Sequence, residues 1–160
     1  MLESYAVAPV AGLKPSNRRA IAFLVSRDDG RTSAQDAFNR LAAKKARDVR
    51  SRFDFWIDFG INDDYFHGWP NHPKYKGCWV FKWKDNRQRH RLYGFLVNPL
   101  PLGNASFQLC VLVLHATKNE RETDTAELDR INALRADPRV KAAIDRTFGV
   151  RKKGCKQWVN

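Results

Sequence analysis

The chain alternates between short apolar runs and a longer segment whose apolar residues recur at helical spacing. Residues 20–25 are apolar and end at a glycine-containing turn, which predicts a first strand. Between residues 37 and 57 apolar positions recur every three or four residues, which predicts either one long helix or a helical hairpin ending near Gly60. Residues 1–17 are irregular and are predicted to be a loose arm or an extra edge segment.

Three further strands are predicted in the second half of the chain. Residues 78–84 and 89–97 flank the four polar residues 85–88, which is the pattern of a β-hairpin. Residues 107–114 are apolar on both faces, which favours a central strand buried on both sides. The long connection at 60–77 is rich in turn formers and aromatic residues, and long loops of this kind are often functional.

Two helices are predicted near the C-terminus. The first follows the capping residues Thr123–Thr125, and the second starts at Asp137–Pro138 and runs through Phe148. These elements predict a single α+β domain over residues 1–160. Its small antiparallel or mixed, curved sheet would combine the N-terminal strand with a three-stranded meander, backed by a helical hairpin and joined by the C-terminal helices.

A strong positive charge narrows the choice of partner. The chain has 29 Lys and Arg residues against 17 Asp and Glu, a formal net charge of +12, and 43% of its residues are hydrophobic. The hydrophobic content excludes a disordered chain. The charge indicates an anionic partner, of which nucleic acid is the usual one and an anionic membrane surface the competitor. A generally basic surface without a special partner is the remaining alternative.

The cysteines and the N-terminus indicate a reducing, cytoplasmic location. Cys78 and Cys110 lie in apolar strand-like runs, and with Cys155 they form no zinc-binding spacing. We expect them to be free thiols in a reducing compartment. The first residues show no signal-peptide pattern, and the apolar run 109–114 is too short to span a bilayer. We therefore expect no membrane partner.

Alternation along the hairpin strands separates an apolar face from a basic one. Trp79, Phe81 and Trp83 share the face that we expect to pack on the helices, together with Leu92 and Leu96. The opposite, open face is predicted to carry four cations and a tyrosine: Lys82, Lys84, Arg89, Arg91 and Tyr93. Like charges that face each other across a ladder destabilise it, so this face favours a polyanionic ligand, RNA above all. A solvated face that blocks aggregation is the alternative.

Four stretches, in this order, resemble the RelE/ParE toxin superfamily and most closely its HigB-like, phage-derived branch. They are Gly77–Lys84, Arg91–Phe95, Val111–Asn119 and the helix start at Thr123–Asp124. The resemblance implies a toxin-like α+β core over residues 18–135, followed by a C-terminal helix and basic tail over 136–160. It also implies a partner antitoxin. Many members of the superfamily cut mRNA, commonly on the ribosome and without a metal, whereas the ParE branch poisons DNA gyrase.

Metal-free RNA cleavage needs a base, an acid and stabilisation of the pentavalent phosphate. Arg91 and Lys118 are the candidates for phosphate stabilisation, Arg91 because its planar guanidinium fits phosphate. Lys82 and Lys84 stand where the family uses lysines for binding or base chemistry. His115 is the acid–base candidate because its charge changes near neutral pH, with a hydrogen-bonded strand-end histidine as the alternative. Further RNA contacts are expected from Arg87, Arg89, Tyr93 and Arg121.

No metal or cofactor is expected. Four possible ligands share the long connection, but their spacing fits no metal motif: Asp63, Asp64, His67 and His72. The leading hypothesis is therefore an RNA-cleaving or RNA-binding toxin-like protein held inactive by an antitoxin. The alternatives are a non-enzymatic toxin-like protein that binds a protein target such as gyrase, and a phage-derived basic binding domain that has lost catalysis.

Overall fold

The computed structural model describes residues 5–14, 16–26, 33–99, 107–118 and 125–148, and a six-stranded mixed sheet forms its centre. Across the sheet the strands β1 and β2 come first, followed by β6, β5, β4 and β3. Strands β2 and β6 are parallel, and the other neighbouring pairs are antiparallel. In chain order the strands are β1 (Tyr5–Pro9), β2 (Arg19–Ser26), β3 (Phe66–Gly68), β4 (Cys78–Asp85), β5 (Gln88–Val97) and β6 (Gln108–Lys118).

Strand β6 lies in the middle of the sheet, and its apolar side chains alternate between two core layers. Leu109 and Val111 belong to one layer, and Cys110 and Leu112 to the other. Full burial of an aliphatic side chain contributes about 2 kcal/mol, so β6 stabilises both layers. The prediction of a central strand buried on both sides is confirmed, and the strand continues past the apolar run to Lys118.

Two successive helices pack on one face of the sheet, so this segment is not one long helix. Helix α1 spans Ser33–Asn39 and α2 spans Ala43–Phe59. Phe53 and Trp56 of α2 are fully buried against the sheet because they repeat at helical spacing on one side. The helix ends at Gly60, as predicted, where φ of 63° requires the left-handed region that glycine adopts without strain.

Two further helices cover the opposite face of the sheet. Helix α3 spans Thr125–Ala136 and α4 spans Pro138–Phe148, and both place apolar side chains, such as Ile131 and Ile144, into the second core layer. The α+β prediction is confirmed, but the expectation that the second face of the hairpin is wholly open is wrong. Strands β4 and β5 are apolar on both faces toward the sheet centre, and there α3 buries Tyr93 completely.

The edges of the sheet come from the two segments without a clear pattern in the sequence. Residues 1–17 contribute β1, which confirms the edge-segment alternative, with Val7 buried. The connection at 60–77 contains β3 and a 3-10 helix at Pro73–Tyr75, so it is more regular than predicted. Among the described segments, no helix has both the length and the apolarity to cross a bilayer.

Candidate nucleic-acid interface

The β4–β5 hairpin closes through a two-residue turn that fixes its register. Asn86 and Arg87 have φ of 51° and 66°, the positive values that a type I′ turn requires at both central positions. Asp85 therefore pairs with Gln88. The pairs that follow along the two strands point alternately to the two faces of the sheet. Arg87 occupies a position that usually favours glycine, so the hairpin carries an exposed cation at its tip.

Five cations lie on one face of the hairpin and of β6, in two rows that cross the strands. Lys84 pairs with Arg89, which pairs with Lys118 on β6. One step toward the sheet centre, Lys82 pairs with Arg91. Directly paired residues of an antiparallel ladder point to the same face with Cβ atoms about 5 Å apart. We call these residues the cationic rows, and their spacing suits a chain of phosphates.

The side chains of the rows become less exposed from the hairpin tip toward the core. Lys84 and Arg89 are exposed, Lys82 is half-buried, and Arg91 is only 7% exposed. Tyr93 was expected on an open face beside these cations, but it is fully buried, and its hydroxyl accepts a hydrogen bond from Arg91 at 3.3 Å. Because α3 covers it, Tyr93 cannot stack on a base; it supports the Arg91 guanidinium instead.

An acidic side chain from α3 meets the outer row. Glu127, in the first turn of α3, forms an ion pair with Lys118, and both side chains are largely buried. Carboxylates are favoured at this end of a helix because they interact with the helix dipole. The sequence analysis missed this contact, since Glu127 and the hairpin are far apart in the chain. Glu127 offsets one cation, and it does not reach the exposed pair at the tip.

Two cations of α2 close the free edge of β4, which extends beyond its short neighbour β3. Lys45 Nζ donates to the carbonyl oxygen of Lys84 at 3.0 Å, and Arg52 donates to the carbonyl oxygen of Lys82. Capping by charged side chains protects an edge strand from pairing with another chain. These two cations of α2 therefore hold the hairpin in place.

His115 lies on the opposite face of the sheet from Arg91 and Lys118. Its Nε2 is 2.9 Å from Nδ1 of His90, and Trp83 stacks on the His90 ring with centroids 5.0 Å apart. This cluster packs toward α1 and α2. Arg91 and Lys118, the predicted phosphate-stabilising pair, therefore share one face, and the imidazole of His115 lies on the other. His115 is hydrogen-bonded, as the alternative interpretation expected, but it lies inside β6 and not at the end of the strand.

Burial lowers the pKa of both histidines in this cluster. Desolvation is the main cause for each; Lys45 lowers the pKa of His90 further while Asp85 opposes the shift, and His90 lowers that of His115. A neutral pair shares one proton between the facing nitrogens, whereas two imidazolium rings would place donors against each other. The folded protein therefore resists protonation here.

We expect the free energy of unfolding to decrease as the pH falls below about 6.5, the ordinary histidine pKa. In that range the unfolded chain binds protons that the folded His90–His115 pair does not bind. The contribution of the pair to the free energy of unfolding is therefore complete above pH 6.5 and is lost as the pH falls toward the lowered pKa values of the folded state. Urea denaturation at pH 7.5 and at pH 5.5 measures the difference. A His90→Gln/His115→Gln variant should show a smaller difference, and an equal one would contradict the assignment.

The other predicted residues are placed as follows. Asp63 accepts a hydrogen bond from the backbone of Tyr65, and His67 Nδ1 contacts the carbonyl oxygen of Gly68 at 2.9 Å. The described residues contain no group of three or more His, Cys, Asp or Glu side chains placed to hold a metal ion. Cys78 and Cys110 are free and buried, and burial raises the pKa of Cys78 to about 11. Arg121, Cys155 and the basic tail lie outside the described residues.

Comparisons with known proteins identify no relative. No family model matches the chain, and no curated protein or solved structure is significantly similar to it.

Proposed function

We propose that the protein binds RNA through the cationic rows. The observation that carries this proposal is the alignment of Lys84, Arg89 and Lys118 across three neighbouring strands, with Lys82 and Arg91 in the next row. Like charges at paired positions destabilise a sheet by up to about 1 kcal/mol per pair. A polyanion that neutralises the rows removes this penalty and releases its own counterions.

The position of the rows supports a single-stranded ligand. The exposed pair Lys84 and Arg89 lies beside Arg87 at the tip of a two-stranded hairpin, which forms a ridge on which all three cations are exposed. Such a ridge is accessible to a flexible backbone that can follow the rows. Arg91, held by Tyr93, sits at the inner end of this path as a fixed, planar phosphate ligand.

The resemblance to RelE/ParE toxins extends the proposal to cleavage of mRNA on the ribosome. A toxin-like α+β core, an antitoxin partner and a cytoplasmic location belong to this part of the proposal. Arg91 and Lys118 share a face, and a phosphate that both stabilise would replace Glu127 as the partner of Lys118. Because His115 lies on the other face, the acid and base on this side would be Lys82 and Lys84, which lie in the same rows as Arg91.

The first test compares binding of single-stranded RNA and of DNA with the same sequence. Fluorescence anisotropy over a series of KCl concentrations should give a log–log slope of about −3, as about four phosphate contacts predict at about −0.7 each. RNA should bind at least as tightly as DNA. A flat salt dependence, or a clear preference for DNA, would contradict the proposed ligand.

Cleavage is tested separately with translating ribosomes and a defined message. Primer extension should reveal new 5′ ends with the wild type and with His115→Gln, and far fewer with Arg91→Lys. RNA binding without cut message would reduce the function to RNA binding. Intact message together with weak RNA binding and inhibited DNA gyrase would favour the toxin-like gyrase-binding alternative. Cleavage lost in His115→Gln alone would contradict the assignment of the reacting face.

A further inference from the structure

Large apolar side chains are exposed at the end of α2 and in the loop that follows it. Phe55, Phe59, Ile61 and Tyr65 are 43%, 57%, 49% and 53% exposed. The Phe55 and Phe59 rings touch, with centroids 4.7 Å apart, and Phe55 also lies 6.0 Å from the buried ring of Phe66. We call these four exposed residues the apolar patch. Grouped exposed apolar residues mark interaction sites, whereas single ones are ordinary.

The rim of the apolar patch is more acidic than the rest of this basic protein. Residues 53–73 contain no Lys or Arg, although 29 of the 160 residues of the chain are Lys or Arg. Lys14 is bound to this rim, its Nζ 3.2 Å from Asp58 and its backbone N–H donating to Asp54. Four aspartates lie in this stretch: Asp54, Asp58, Asp63 and Asp64. Two cations from outside this stretch also reach it, since the guanidinium of Arg52 lies 4.2 Å from the centre of the Tyr65 ring and that of Arg19 donates to the carbonyl oxygen of Ile57. Asp63 and Asp64, which are exposed and form no ion pair among the described residues, are the acidic side chains left to attract a cationic partner.

Strand addition is not available at the neighbouring sheet edge. The carbonyl oxygen of Phe66 in β3 accepts a hydrogen bond from the backbone N–H of Asp63 at 2.7 Å. The N–H of Gly68 donates to the side-chain oxygen of Asn62 at 2.9 Å. Because the loop already satisfies these edge groups, a partner has to bind through side chains.

We propose that the apolar patch binds a protein segment that carries Lys or Arg next to apolar side chains. Asp63 and Asp64 repel phosphate backbones and anionic lipid, which favours a protein partner over nucleic acid and anionic membranes. A second copy would bring a net charge of +12 against +12. Phe55 and Phe59, at i and i+4 on α2, supply the closely spaced aromatic anchors that dominate protein interfaces.

This surface is separate from the cationic rows. Helix α2 covers one face of the sheet, and the side chains of the rows project from the other. Both surfaces can therefore be occupied at the same time, and the inference does not depend on RNA binding. If both proposals hold, the protein joins an anionic ligand on one side to a basic protein segment on the other.

The test uses two synthetic amphipathic helical peptides, one of Leu and Lys and the other with Glu in place of every Lys. They are titrated into the ¹⁵N-labelled full-length protein and followed by NMR. We expect the Lys peptide to bind at least about tenfold more tightly and to shift resonances of residues 52–66. Phe55→Ser/Phe59→Ser should abolish this binding without unfolding the protein, because both rings are substantially exposed.

Charge variants show whether the Lys peptide responds to the aspartates at the patch or to the net charge of the whole protein. Asp63→Asn/Asp64→Asn should weaken binding of the Lys peptide by about fivefold or more. Asp48→Asn/Asp145→Asn, which removes the same charge at exposed positions away from the patch, should change it less than about twofold. Equal affinity for both peptides, shifts centred on the hairpin, or self-association in light scattering that Phe55→Ser/Phe59→Ser removes would each overturn the proposal.

Discussion

Replacing Gly94 by alanine is expected to destabilise the protein by about 3 kcal/mol or more, because the methyl group has no space. An added Cβ would overlap the carbonyl oxygen of Val111 and would lie 2.8 Å from its carbonyl carbon and 2.9 Å from Cα of Leu112. These are backbone atoms of the central strand, which cannot turn away as a side chain can. The approach is close because the ladder shifts its register between Tyr93 and Gly94.

Equilibrium urea denaturation of Gly94→Ala measures this loss, and we expect much of the protein to be unfolded, since whole domains are stable by only about 5–15 kcal/mol. Gly77→Ala is the matched control. There the three atoms nearest to the new Cβ belong to the guanidinium of Arg135, a flexible side chain that can move aside, so a cost within about 1 kcal/mol is expected. A Gly94→Ala protein as stable as the control would show that the two strands are not this close.

Neutralising the exposed pair of the cationic rows with Lys84→Gln/Arg89→Gln is expected to weaken binding of single-stranded RNA by about 30-fold near 0.1 M salt. The salt slope should become shallower by about 1.4, because two phosphate contacts are lost. Stability should stay the same or rise by up to about 1 kcal/mol, since the two side chains are directly paired like charges. Weaker binding with equal or greater stability is the signature of a ligand-binding pair.

Lys44→Gln/Arg47→Gln is the matched control for this variant, because it removes the same charge from two exposed positions of α2. If RNA follows the cationic rows, this control should lose less than about threefold in affinity. Anisotropy titrations at equal salt compare the two variants. Equal losses in both would mean that RNA responds to net charge alone, and the hairpin would no longer be the interface.

The hairpin could be predicted from the sequence in detail because its determinants are local. A two-residue turn and strict alternation determine which side chains pair, so the common face of Lys82, Lys84, Arg89 and Arg91 was predicted correctly. The burial of Tyr93 was not, because it depends on α3, a helix that packs on the hairpin from a distant part of the chain. Local patterns carry no information about such a contact.

The separation of His115 from Lys118 had a signal in the sequence that the resemblance obscured. The two residues are three positions apart, and an odd separation along a regular strand puts side chains on opposite faces. The predicted strand ended at residue 114, before both residues, so this constraint was not applied. The apolar patch was missed for a different reason: Phe55 and Phe59 flank core positions of α2, and only the packed structure shows that the described residues leave them 43% and 57% exposed.

The parallel pairing of β2 with β6 sets an order of events during synthesis on the ribosome. Arg19 pairs with Gln108, so β2 emerges long before its inner neighbour exists. Only the antiparallel hairpin with β1 can protect it until then. A nascent chain that stops before β6 carries an apolar strand with an open hydrogen-bonding edge, which favours capture by chaperones or aggregation. Shortening the chain from its C-terminal side should therefore harm solubility abruptly once β6 is lost.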